Sequence, residues 1–246
     1  MKKRKVILSL AGFDPCGGAG ILADLKTFEQ HKCVGMAVQT ANTIQTEDEF
    51  ITPNWISEDE ILLQANTLLN RYQFDAFKIG LVPSFEFLVK ILPILKNNNP
   101  KAIVVWDPIL SASAGFDFNH TTAQLEKIPE LVDWVTPNWN EMGQLAATDQ
   151  VPEAAQNLSS LVHVYLKGGH HPTEIGKDFL YVKGKWTVYK PKAGNYSPKH
   201  GSGCVFSSAL AANLAKGYPN NKAILRAKRY VERYLKSDDS KLGRHT

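Results

Sequence analysis

Apolar positions along this chain fall into two rhythms. Short, nearly continuous runs read as buried strands: "KVILSLAG", "VGMAVQTA", "FDAFKIG", "KAIVVWDP", "LVDWVTPN" and "VHVYLKGGH". Between them the spacing becomes helical. In "GAGILADLKTFEQHK", Ile21, Leu22, Leu25 and Phe28 share one face. "SEDEILLQANTLLNRY" predicts a helix capped by Ser57, with Glu60 three residues on to complete a capping box. "SFEFLVKILPILKNN" predicts a helix kinked at Pro93. "NEMGQLAA" and "PEAAQNLSS" are helical, and two further helices start near Gly203 and Asn220. "EIGKDFLYVKGKWTVYK" reads as two strands joined by a tight turn at Lys183-Gly184-Lys185. The polar tail "KSDDSKLGRHT" is expected to fray over about residues 237–246.

This alternation predicts an α/β fold: a mainly parallel sheet with helices on both faces. No repeat, low-complexity block or linker interrupts it, so residues 1–246 are expected to form one domain. In such sheets ligands bind beyond the carboxyl ends of the strands. Those ends carry Gly12-Phe13-Asp14, the residues from Ala41 to Gln45, Gly80-Leu81, Asp107-Pro108, Thr136-Pro137-Asn138 and Lys167-Gly168-Gly169. Acids, amides, a lysine and glycines gather there.

Composition narrows the classes. The chain has 246 residues, 43% hydrophobic and 21% charged, which is ordinary for a soluble globular protein. Its apolar runs, "VKILPIL" among them, are too short to span a membrane. The basic start lacks a clear signal-cleavage site and leads straight into a strand. The net charge of +4 (28 Lys+Arg against 24 Asp+Glu) is accounted for by Lys2, Lys3, Arg4 and Lys5 alone. No nucleic-acid face is implied. Cys16, Cys33 and Cys204 are odd in number and lack CxxC spacing, which argues against disulfides or zinc and for the cytoplasm.

Neither a Walker A motif nor a GxGxxG fingerprint is present. In "GFDPCGGAG", Gly17, Gly18 and Gly20 permit close backbone approach to a ligand or simply a tight connection. "GSGC" carries more. Gly201, Ser202 and Gly203 precede Cys204 where a helix begins, and free N–H groups and the helix dipole there favour an anion. A thiol at that point is expected to have a lowered pKa and to act as proton acceptor or nucleophile. The alternative is a small buried cysteine. Asp107, Asn138 and Glu141 fit a magnesium and phosphate station, with Lys167 nearby. Separately, Asp107 also fits a turn cap and Glu141 a surface carboxylate. Lys78 reaches the site, snorkels or forms an ion pair. His170-His171 point to opposite faces and read as polar loop.

Taken in order, "AGFDPCGGAGILADLKTF", "AVQTANTIQ", "KIGLV", "VVWDPIL", "TPNWNEM", "LKGGHH" and "HGSGC" resemble the ribokinase superfamily. The branch is that of the hydroxymethylpyrimidine/phosphomethylpyrimidine kinases of thiamine biosynthesis, and the likeness runs over about residues 6–217. The resemblance implies a three-layer ribokinase-like fold. It implies ATP- and Mg2+-dependent phosphorylation of a pyrimidine alcohol and then of its monophosphate, by a cytoplasmic homodimer. It places Cys204 as catalytic base and Gly201, Ser202 and Gly203 as anion hole. Gly12 and Gln45 border the pyrimidine, Asp107 and Glu141 serve the metal, and Asn138 and Lys167 serve nucleotide or phosphate. The chain departs from the family pattern at Phe13, Cys16, Thr46 and Lys199. Pyridoxal kinases of the same fold are the nearest alternative; a ligand-binding homologue without catalysis is a remoter one.

Overall fold

The computed structural model describes residues 3–112, 115–118 and 125–246, so Lys2 of the basic cluster lies outside the described residues. Nine strands form one sheet: β1 (Val6–Phe13), β2 (Val34–Gln45), β3 (Phe50–Trp55), β4 (Ala76–Ile79), β5 (Ile103–Trp106), β6 (Trp134–Val135), β7 (His163–Leu166), β8 (Asp178–Val182) and β9 (Lys185–Tyr189). Their order is β3-β2-β1-β4-β5-β6-β7-β8-β9. The six strands from β2 to β7 in that order are mutually parallel; β3 at one edge and β8 at the other run against them, and β9 pairs antiparallel with β8. All six parallel strands therefore present their carboxyl ends along one side.

Helices cover both faces. One layer holds α2 (Glu58–Arg71), α3 (Phe85–Asn98), α4 (Trp139–Ala146) and α5 (Val151–Leu158), packed on an apolar core that includes Leu8, Leu10, Phe77, Leu88 and Val164. The other holds α1 (Gly20–Gln30), α6 (Ser202–Ala215) and α7 (Asn220–Leu235), whose core includes Tyr165, Val205, Leu210 and Tyr230. In β1, Leu8 and Leu10 join the first core while Ile7 packs beside Phe28 and Ala212. That is the period-two alternation of a strand between two helical layers. Every α6 residue from Cys204 to Ala215 is buried. The helix lies inside, between the sheet and its neighbours, and so has no polar face.

Helix α3 runs through Pro93 to Asn98, over the stretch expected. Two local expectations change. β2 runs on to Gln45 and pairs with β3, a strand absent from the sequence reading; Pro53 and Asn54 break its alternation, which an exposed edge strand tolerates. Residues 237–246 have no regular structure, yet they are hydrogen-bonded onto α1, α7 and the residues before α6 rather than frayed. Other details follow the pattern. Ser57 Oγ caps α2 by accepting the Glu60 N–H at 3.3 Å. Lys183 and Gly184 both take positive φ (49° and 74°), as a two-residue hairpin turn requires.

Candidate active site

Two glycine loops meet at the carboxyl ends of the strands. Gly201 caps α6 at φ 72°, and a Cβ there would lie 2.0 Å from Gly18 O. Gly20 opens α1 at φ 56°, where a Cβ would lie 2.1 Å from Gly12 O. Only glycine fits either backbone contact. Asp14 ties the loops together. Its Oδ1 accepts the Cys16 N–H (3.0 Å) and thiol (2.9 Å), and its Oδ2 accepts the Ala19 N–H (2.7 Å) and lies 3.0 Å from His200 Nε2.

In the first turn of α6, Ser202 N–H reaches back to Lys199 O (3.4 Å), and the helical ladder opens with Val205 N–H on Gly201 O (3.0 Å). The Gly203 and Cys204 N–H groups precede that ladder and project from the helix end. This is an anion-binding geometry. Facing it, the Lys167 ammonium lies 2.7 Å from Asp107 Oδ1 and 3.5 Å from Glu141 Oε2, and a Cβ on Gly203 would approach it to 3.1 Å. Asp107 also accepts Thr136 Oγ1–H (3.2 Å) and Ser207 Oγ–H (3.1 Å). Asp107, Glu141, Lys167 and the GSGC turn are thus brought together, as the strand-end rule expects.

The surroundings fix the charges. Burial works against ionising Asp107, but Lys167 and Lys78 beside it hold its pKa low. Burial raises Glu141 to about 7, with Asp107 adding and Lys167 opposing. Burial opposes the Lys167 charge, yet Asp107 and Glu141 raise its pKa. Glu141 is no surface carboxylate: with Asn138 it forms a two-way capping box on α4, Asn138 N–H on Glu141 Oε2 at 2.6 Å and Glu141 N–H on Asn138 Oδ1 at 2.9 Å. One turn of helix thereby aims the carboxylate at Lys167.

Cys204 corrects an expectation. Burial pushes its thiol up to about 11; Asp107 and Asp24 push the same way, against Lys78 and the Gly20 N–H. Desolvation and acidic neighbours outweigh the helix end. Cys16 and Cys33 are likewise raised to about 11, by burial first. All three thiols are free.

Gln45 stands at the β2 end, where its amide donates to Thr43 Oγ1 (2.7 Å) and that hydroxyl donates to Phe13 O (2.7 Å). Gly12 sits beside them: a Cβ there would meet Leu81 at 3.2 Å and Thr43 at 3.5 Å. Beneath the site Lys78 is fully buried and paired with Asp24 at 3.0 Å, as the ion-pair reading has it, and its charge also acts on Cys204. Ser9 and Ser208 hydroxyls also donate to Asp24, at 2.5 and 2.6 Å. The sequence pattern marks none of Asp24, Ser207, Ser208 and His200, and gives Thr136 only a place at a strand end. The one legible signal was an acid interrupting the α1 apolar face. His170 and His171 stay outside the cluster; His171 Nδ1 accepts the Thr173 and Glu174 N–H groups at 3.2 and 3.0 Å.

The match to known proteins decides the lineage. Residues 14–246 fit the phosphomethylpyrimidine kinase family. The chain belongs to that family. Among its relatives is a hydroxymethylpyrimidine/phosphomethylpyrimidine kinase of Saccharomyces cerevisiae, 33% identical over 94% of this chain and 46% of the yeast protein. The chain thus spans about half the length of that relative. A Staphylococcus aureus kinase of the same name is 30% identical over 94% of this chain and 88% of its own. In structure, the S. aureus pyridoxal kinase in complex with ADP superposes with a TM-score of 0.84 at 26% identity, covering 96% of this chain and 89% of that one. The fold is ribokinase-like, as expected. Among the described residues no helix is long and apolar enough to cross a membrane.

Proposed function

We propose that this chain uses ATP to phosphorylate the hydroxymethyl group of 4-amino-5-hydroxymethyl-2-methylpyrimidine, and then the resulting monophosphate, in thiamine biosynthesis. The observation that carries this is the glycine turn of α6 facing the buried Asp107–Lys167–Glu141 group across the strand ends. Phosphoryl transfer needs alignment and charge stabilisation more than covalent chemistry. The Gly203 and Cys204 N–H groups supply fixed donors for the transferring group, and Gly201 and Ser202 set their direction. Lys167 neutralises phosphate oxygens once it leaves its two carboxylates.

The substrate oxygen forms a bond to the γ-phosphorus as the bond to the β,γ-bridging oxygen breaks and ADP leaves. Cys204 receives the proton of the alcohol. A neutral thiol has no site for that proton, so the step draws on the thiolate, a minor form below a pKa of about 11 that the buried Lys78 ammonium favours. Gly12 and the Gln45 amide, side by side at the β1 and β2 ends, would border the pyrimidine ring.

Asp107 and Glu141 suit magnesium: two carboxylates already converge on one cation, the Lys167 ammonium. When bound there with phosphate oxygens, the metal would offset charge on the transferring group. Asn138, at the same helix end, would contact phosphate.

Replacing Cys204 by Ala should lower kcat about 100- to 10,000-fold while ATP still binds, the range of a positioned base. Turnover near that of the unaltered chain removes the base assignment. Pyridoxal is the second substrate to test, because the S. aureus pyridoxal kinase shares this fold so closely. Assembly as a homodimer is an expectation carried by the family and is checked by light scattering.

A further inference from the structure

The polar segment after α7 lies against the site. The Lys199 side chain, one residue before His200, is fully buried, and its ammonium donates to the carbonyls of Asp238 and Ser240, with Asp238 Oδ1 at 3.7 Å. His200 N–H donates to Lys241 O at 2.9 Å, and Tyr234 of α7 donates to His200 O at 3.1 Å. Leu242 lies over Gly18, where a Cβ would come within 3.0 Å of its Cδ2. Lys241 pairs with Asp48, three residues beyond Gln45. The segment thus reaches both glycine loops and the β2–β3 turn.

It is itself anchored. His245 Nδ1 lies 2.9 Å from Tyr230 Oη and 3.4 Å from Thr27 Oγ1, and Gln30 donates to its carbonyl at 3.1 Å. Asp238 Oδ1 accepts the Ser240 N–H (3.0 Å) and Oγ–H (2.7 Å), and Arg244 N–H reaches Ser237 Oγ at 2.8 Å. A buried ammonium is strongly held wherever its acceptors are, because leaving it unpaired is costly. Carbonyls of the segment therefore set where Lys199 stands, and Lys199 and His200 lead directly into Gly201.

We propose that residues 237–246 are a clasp that positions the anion hole, with Lys199 as the positioning residue through which it acts. This rests on the phosphoryl-transfer reading of the GSGC turn. Small displacements of such donors from transition-state geometry reduce turnover more than ground-state binding.

The test compares steady-state ADP release by the full chain, a chain ended at Lys236, and Lys199→Met and Lys199→Arg in the full chain. The shortened chain is expected to lose about 100-fold in kcat, with KM for ATP changed less than about threefold. Lys199→Met, which keeps the stem but no donors, should lose about tenfold or more in kcat at unchanged KM, and Lys199→Arg should recover most of it. A Lys199→Met kcat within about threefold of the full chain overturns the clasp, as does a loss carried by KM alone. If the shortened chain fails to melt cooperatively, the two Lys199 variants decide by the same criterion. Rates are taken with the pyrimidine and with pyridoxal. Activity on pyridoxal alone sinks the substrate reading but leaves the variant ratios to judge the clasp. If neither alcohol reacts, basal ATP hydrolysis at the same turn carries the comparison.

Discussion

Replacing Lys78 by Met should destabilise this protein severely, and the structure sets the scale. Lys78 and Asp24 are both fully buried, with their charged atoms 3.0 Å apart. Burial works against the ammonium, yet the Asp24 carboxylate and, beyond it, Cys204 and Asp107 raise its pKa. Methionine matches the lysine stem but leaves the Asp24 carboxylate with only the Ser9 and Ser208 hydroxyls. Breaking a buried pair from one side typically costs about 3–5 kcal/mol, because one charge stays uncompensated. Two remaining hydroxyl donors place the expectation near the lower end, about 3 kcal/mol. For a chain of this length that corresponds to a fall in Tm on the order of 10 °C. Urea unfolding at pH 7, followed by circular dichroism, measures it. The pair with Asp24→Asn is the informative control. Asparagine keeps an acceptor for one serine, can donate its amide to the hydroxyl of the other and removes the orphaned charge, so Lys78→Met/Asp24→Asn should be more stable than Lys78→Met alone. A Lys78→Met cost below about 1 kcal/mol would refute the argument that this pair is a buried, mutually dependent unit.

Two further perturbations test other parts of the site. With Cys16, Cys33 and Cys204 all raised to about 11, the native protein should hold no fast-reacting thiol at pH 7.5. Alkylation at each accessible site should quicken roughly tenfold per pH unit as thiolate accumulates below its pKa; one equivalent reacting within seconds at pH 7.5 contradicts this. Gly201→Ala should abolish turnover and lower stability by more than about 2 kcal/mol, since alanine meets both the positive φ and the Gly18 carbonyl; a variant with full activity shows the loops free to separate.

Much of the fold was legible because five of the six parallel strands, β1 and β4 to β7, are buried along nearly their whole length and therefore nearly continuous in apolar residues. The edge strand β3 was not: it is exposed and carries Pro53, so neither alternation nor a continuous run marks it. The site split the same way. Asp107, Lys167 and the GSGC turn stand at strand or helix ends, where position alone suggests chemistry. The ionisation of Cys204 could not be read, because it depends on burial and on Asp107 and Asp24, distant in sequence. The docking of residues 237–246 was hidden for a related reason. A polar segment has no periodicity, and what holds it is backbone carbonyls around Lys199.

The most direct measurement is ADP release with ATP and magnesium, offering hydroxymethylpyrimidine, its monophosphate and pyridoxal side by side. Turnover of both pyrimidines is expected, at a kcat/KM above that for pyridoxal. Turnover of pyridoxal with neither pyrimidine consumed would contradict it.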